Sequence, residues 1–119
     1  MKKVLVVDDN VSFLKQISVL LEGNYEIFLA KSGPMALKIG AQEKPDLILL
    51  DVEMPEMDGY QTFTKFKEEA WFGNIPVIFI TGNKDEETKS KCVSSGAKDL
   101  LCKPVSRDSL RNCVELYLN

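Results

Sequence analysis

Five short apolar runs punctuate this chain, and the different period of the segments between them limits the available folds more than any other feature. The runs are Val4-Leu5-Val6-Val7, Tyr25 to Leu29, Asp46-Leu47-Ile48-Leu49-Leu50, Ile75 to Ile80, and Asp99-Leu100-Leu101-Cys102. Each has the length of a strand. The first, third and fourth are continuous rather than alternating, as strands covered by helices on both faces are, whereas Tyr25 to Leu29 partly alternates and reads as an edge strand. Between them, apolar residues recur at helical spacing: Phe13/Leu14, Ile17 and Leu20/Leu21; Met35/Ala36 and Ile39; Tyr60, Phe63 and Phe66; Val93; and Leu110, Val114 and Leu116/Tyr117. Helix openings are marked by Ser32 before Gly33-Pro34, Asp58 with Gln61, Asn83 with Glu86, and Ser106 with Asp108. The segment Lys84 to Ser94 is the least amphipathic, with Cys92 and Val93 as its only large apolar positions, and is expected to be the loosest packed helix. Five strands alternating with five helices predict an α/β fold with one doubly wound parallel sheet and right-handed crossovers. A length of 119 residues suits a single domain over 1–119, with no effector module expected beside it.

Composition narrows the chemistry. The chain has no histidine, which excludes a Ser-His-Asp triad, a Cys-His dyad, and His-ligated zinc or haem. Catalysis would have to come from carboxylates, Lys, hydroxyls, thiols or a hard cation. A net charge of −3 argues against direct nucleic-acid or anionic-membrane binding, which needs a clustered basic patch. Cys92, Cys102 and Cys113 form no C-x-x-C pair and read as reduced, structural thiols. Only four apolar residues follow Met1-Lys2-Lys3, and no run approaches the ~18 needed to cross a bilayer, so a cytoplasmic location is expected.

In an open parallel sheet, ligands bind beyond the carboxyl ends of the strands, where the strand order reverses. The first run ends in Asp8-Asp9, the third in Asp51, the fourth in Thr81-Gly82 and the fifth in Lys103-Pro104, while the second ends in Ala30-Lys31. With the order 2-1-3-4-5, three carboxylates converge on one crevice, beside a hydroxyl and an ammonium. Such a trio repels itself unless a cation compensates, and an all-oxygen donor set favours Mg²⁺. That site suits a phosphoryl group: Lys103 and Thr81 supply a positive charge and a hydroxyl donor, and an aspartate can be the nucleophile.

Four stretches in order carry a family resemblance: Val4 to Asp9; Asp46 through Asp51 to Val52-Glu53-Met54-Pro55-Glu56-Met57-Asp58-Gly59; Pro76 to Thr81; and Gly96 to Pro104. Together they resemble the response regulator receiver domain, the phosphoacceptor module of two-component signalling, over essentially the whole chain, as in single-domain receivers of the chemotaxis type. The resemblance implies the flavodoxin-like receiver fold and makes Asp51 the phosphorylated aspartate. It makes Asp8 and Asp9 the acidic pair that holds Mg²⁺ with Asp51, and the backbone carbonyl of Glu53 a further ligand. Thr81 would hydrogen-bond the phosphoryl group and Lys103 would pair with it, and Lys103-Pro104 would be a cis peptide. The donor implied is a sensor histidine kinase or a histidine phosphotransfer protein, necessarily another chain since this one has no histidine.

The same resemblance marks departures. The aromatic usual three residues before the lysine is Leu100 here, Gly82 follows Thr81, and Val105 follows Lys103-Pro104, which puts the usual threonine–aromatic coupling in doubt. Glu53 and Asn83 flank the expected path of attacking water. The face of the fourth helix, fifth strand and fifth helix, with Lys89, Lys91, Arg107 and Arg111, resembles the usual output surface, although scattered charges at helical spacing also suit a solvated face. Met54, Met57 and Cys102 read as packing residues and Trp71 as a cover over the sheet edge. Two other classes stay open: a phosphatase with an aspartyl-phosphate intermediate, for which Glu53 occupies the second acid position, and an interaction module independent of phosphate.

Overall fold

The computed structural model describes residues 1–118. Strands β1 (Lys3–Val7), β2 (Glu26–Ala30), β3 (Leu47–Asp51), β4 (Val77–Thr81) and β5 (Asp99–Cys102) alternate with helices α1 (Val11–Leu21), α2 (Gly33–Glu43), α3 (Gly59–Lys67), α4 (Glu86–Ser94) and α5 (Arg107–Leu118). All four strand pairs are parallel, in the order β2-β1-β3-β4-β5. The reversal lies between β1 and β3, as the sequence predicts.

The continuous apolar runs are explained by two cores, one on each side of the sheet. Val4 and Val6, Leu47 and Leu49, and Ile78 and Ile80 pack with Leu14 and Ile17 of α1 and Leu110 and Val114 of α5. The intervening Leu5 and Val7, Ile48 and Leu50, and Val77 and Phe79 face Ala36 of α2, Phe63 and Phe66 of α3, and Cys92 of α4. Strand side chains alternate between faces, so a run buried on both sides must be apolar at every position.

The helix starts are capped mostly where expected. Ser32 accepts from the Met35 N–H, and Ser106 accepts from the Ser109 N–H. Asp58 and Gln61 form a reciprocal capping box. The fourth helix differs. Its N-cap is Asp85, which accepts from the Thr88 N–H, while Asn83 sits two residues earlier and accepts from the Asp85 N–H. Asn83 therefore shapes the loop before the helix instead of capping it. Cys92 is the only buried residue of α4, and Val93 is exposed, in keeping with weak amphipathicity.

Trp71 packs at the border of the core under α2 and α3. Its indole lies across α2 so closely that a Cβ on Gly40 would come within 2.7 Å of the ring's Cζ2, and it stands edge-on to Phe66. Gly40 is the groove into which the ring fits. Met54 is buried in the core, and Cys102 is half-buried at the end of its strand. Lys103-Pro104 is cis.

Candidate functional site

The sheet register brings the chemistry together. Val7 pairs with Leu50, so Asp8 and Asp51 follow on the next rung of adjacent strands, and Thr81 lies at the end of β4 against Cys102, one residue before Lys103. Asp8, Asp51 and Thr81 are buried, with relative exposures of 0%, 3% and 0%, whereas Asp9 is exposed. One carboxylate oxygen from each of Asp8, Asp9 and Asp51 lies within 4.8 Å of the other two. All five strand-end residues picked from the sequence thus share one crevice.

Gly59 sets how closely the loop after β3 folds back on the strand. A Cβ there would collide with the Asp51 carbonyl oxygen and lie 2.8 Å from the Val52 Cα. The Gly59 N–H donates to the Val52 carbonyl at 2.8 Å. The turn that carries Glu53 to Asp58 is therefore pinned directly behind the Asp51 backbone.

One ammonium serves the buried pair of the trio. The Lys103 Nζ lies 2.9 Å from Asp8 Oδ2 and 3.6 Å from Asp51 Oδ1. Burial works against its charge, but Asp8 and Asp51 outweigh it and hold its pKa above the ordinary lysine value. The Asp51 pKa is also pushed up, to about 7: burial is the main cause, Asp8 adds to it and Asp9 adds less, and Lys103 and a backbone N–H from Glu53 oppose it. Asp8 Oδ1 accepts from the Asn10 N–H at 2.9 Å, whereas its buried Oδ2 is met by the Lys103 ammonium and by no other donor among the described residues. An oxygen in that condition, in a cluster of three carboxylates facing one ammonium, fits a hard dication.

The single proton of the Thr81 hydroxyl is committed. It donates to Glu53 Oε1 at 3.2 Å and accepts from the Asn83 N–H at 3.0 Å. Beside it, Glu53, Asn83, Tyr60, Thr88 and Lys91 line a recess between the strand ends and α4. The Tyr60 ring packs on Phe79 with its hydroxyl 3.6 Å from Cys92 Sγ and the Lys91 ammonium 4.2 Å above it. Leu100 is half-buried against the same core, so the aromatic nearest this recess comes from α3 and not from β5.

Asn10 and Phe13 are parts of this site that the strand-end reading missed. Asn10 had a local signal, since it stands two residues after Asp8 and three before Phe13, the spacing of an N-cap. The Phe13 ring meets the Lys103 ammonium across ninety residues of chain, and no local pattern reports that. Arg111, placed with the output-face charges, instead donates to the Leu20 carbonyl and ties α5 to α1.

A family model described as the response regulator receiver domain matches residues 4–115. The chain belongs to that family. This receiver is 31% identical over 119 residues to Protein PilH of Pseudomonas aeruginosa, covering 99% of this chain and 98% of that one. It is 40% identical over 115 residues to a Vibrio cholerae protein named "Probable cyclic di-GMP phosphodiesterase", covering 97% of this chain but only 26% of that relative's length. Among solved structures, the chemotaxis protein CheY4 of Vibrio cholerae superposes with a TM-score of 0.93 at 29% identity, covering 99% of both chains. The fold is the flavodoxin-like receiver fold, and the receiver has the phosphoacceptor role of two-component signalling. A phosphatase reading is not favoured by these matches. Among the described residues no helix is long and apolar enough to cross a membrane.

Proposed function

We propose that Asp51 accepts a phosphoryl group from a phosphohistidine on a separate kinase or phosphotransfer protein, and that the resulting acyl phosphate switches protein contacts. The observation that carries this is the placement of Asp51: a buried carboxylate at a strand end, one rung from Asp8 and within reach of a single ammonium. In its ionised form one Asp51 oxygen attacks phosphorus. The phosphorus–nitrogen bond breaks, the imidazole leaves with the electron pair and takes up a proton, and a mixed anhydride remains on Asp51. Water attack on the same phosphorus later breaks the phosphorus–oxygen bond, releasing inorganic phosphate and restoring the carboxylate. The chain promotes only these two steps on itself and is a signalling switch, not a turnover enzyme.

Asp8, Asp9 and Asp51, with the backbone carbonyl of Glu53, would hold Mg²⁺. When bound, the ion neutralises the carboxylates and the phosphoryl oxygens. Lys103 pairs with the phosphoryl group, being already 3.6 Å from Asp51 Oδ1. Thr81 reaches it by giving up Glu53, because a hydroxyl has one proton to donate. The Asn83 N–H follows the Thr81 oxygen, which couples the site to the loop before α4. The face of α4, β5 and α5, with Lys89, Lys91 and Arg107, then meets the downstream protein.

The test is Asp51→Asn. With acetyl phosphate and MgCl₂, the wild-type chain should acquire one acid-stable, base-labile phosphoryl group and the variant none. Retention of that group by the variant would place the acceptor elsewhere.

A further inference from the structure

Contacts around Lys103 close into a ring that includes a residue outside the acidic cluster. Asp8 Oδ1 accepts from the Asn10 N–H at 2.9 Å, and the Asn10 side-chain oxygen accepts from the Phe13 N–H at 3.1 Å. The Phe13 ring lies against the Lys103 ammonium at 4.5 Å from its centroid, and that ammonium returns to Asp8 through Oδ2 at 2.9 Å. Phe13 is 8% exposed, in the first turn of α1, so its ring is fixed by packing and by the cap below it.

The partners of Lys103 differ in kind. Asp8 and Asp51 are carboxylates, which a hard cation and a phosphoryl group also claim; the face of a phenyl ring attracts an ammonium but is no ligand for a hard cation. Asp8 Oδ2 cannot serve a cation and Lys103 at full strength together. A flexible lysine released from that oxygen and held by nothing else would swing into solvent, since its four-carbon stem has many rotamers. Here the ring remains.

We propose that Phe13 is a positioning residue for phosphoryl transfer: its ring is the fixed support on which Lys103 turns from Asp8 toward the phosphoryl group arriving on Asp51. The proposal rests on the reading of Asp51 as acceptor, and it names a residue that reaches the reacting atoms only through Lys103. The ring should matter for the step in which the lysine meets the phosphoryl group and little for capture of the cation.

The experiment compares the wild-type chain with Phe13→Leu, Phe13→Tyr, and a chain carrying tetrafluorophenylalanine at position 13, which keeps the ring's shape and weakens its π-face. With acetyl phosphate and saturating MgCl₂, Phe13→Leu and the fluorinated chain should both lose about fivefold in phosphorylation efficiency, the equivalent of ~1 kcal/mol for a partly buried cation–π contact, and Phe13→Tyr should lose little. Mg²⁺ affinity, measured by calorimetry, should stay within about twofold throughout, because the ring is no ligand. In wild-type protein labelled at lysine, the Lys103 Cε protons should show an upfield ring-current shift that persists on adding Mg²⁺ and then beryllofluoride. A fluorinated chain as fast as wild type would overturn the proposal, as would a parallel fall in Mg²⁺ affinity or loss of the upfield shift on adding beryllofluoride. A phosphorylated Asp51→Asn variant would instead overturn the acceptor assignment, so the two failures are distinguishable.

Discussion

Replacing Asp51 by Asn should make the metal-free protein more stable. Folding buries this carboxylate to 3% exposure beside Asp8 and leaves it one distant share of an ammonium. Its pKa is carried from 3.8 up to about 7. At 1.36 kcal/mol per pH unit, that rise costs the ionised folded state about 4 kcal/mol relative to the unfolded chain. The sign follows from linkage: the folded protein keeps the Asp51 proton up to about pH 7, whereas the unfolded chain releases it near pH 4. Wild-type stability relative to the variant therefore falls as pH rises from about 4 to about 7 and stays at its lower value above that. Asn removes the charge but must bury an amide, which returns part of the gain, so a net advantage of about 2–3 kcal/mol, or roughly 10 °C in melting temperature, is expected at pH 8 in EDTA. Urea unfolding followed by circular dichroism between pH 4 and pH 8 gives the curve. Millimolar Mg²⁺ should narrow the gap, since it binds the folded wild-type chain. Equal stabilities at pH 8 without metal, or a gap that shrinks as pH rises, would refute the account of Asp51 as a carboxylate strained by burial and by Asp8.

Gly59→Ala sets a Cβ against the Asp51 carbonyl and the Val52 Cα, both backbone, so it should destabilise by about 3 kcal/mol in urea titrations and slow phosphorylation of Asp51 together with it. Glu53→Ala removes the competing acceptor of the Thr81 hydroxyl; half-saturation of the metal-loaded protein by beryllofluoride, followed by amide NMR, should then need about threefold less of the mimic, the equivalent of a hydrogen bond of roughly 0.7 kcal/mol.

Most of the fold was legible because it rests on period. A run such as Leu47 to Leu50, apolar at every position, fits a strand with a helix layer on each side and little else. The strand ends were legible for a related reason: polar residues directly after such runs must leave the core at one edge of the sheet, so Asp8, Asp51, Thr81 and Lys103 had to share it. What could not be read depends on side-chain reach across the sequence. Glu53 clasps Thr81 over 28 residues, and Trp71 lies on Gly40, because a large ring settles where a missing Cβ leaves room. The displaced cap of α4 is a local failure: Asn83-x-x-Glu86 and Asp85-x-x-Thr88 are competing cap spacings two residues apart, and the acidic pair Glu86-Glu87 suits the first turn of the later start.

The weak seating of α4 has a thermodynamic consequence. This helix buries one side chain, Cys92, 3.6 Å from the Tyr60 hydroxyl, and rests Lys91 on the Tyr60 ring, so moving it forfeits on the order of 1–2 kcal/mol of apolar burial besides that cation–π contact. That is small beside the binding energy of a modest protein partner. If phosphorylation of Asp51 draws α4 away through Thr81 and Asn83, reciprocity makes the proposed output surface an input as well: a partner that prefers the displaced helix then favours, by the same free energy, the phosphorylated form. Binding of the target would then shift the balance toward the phosphorylated state that it reads.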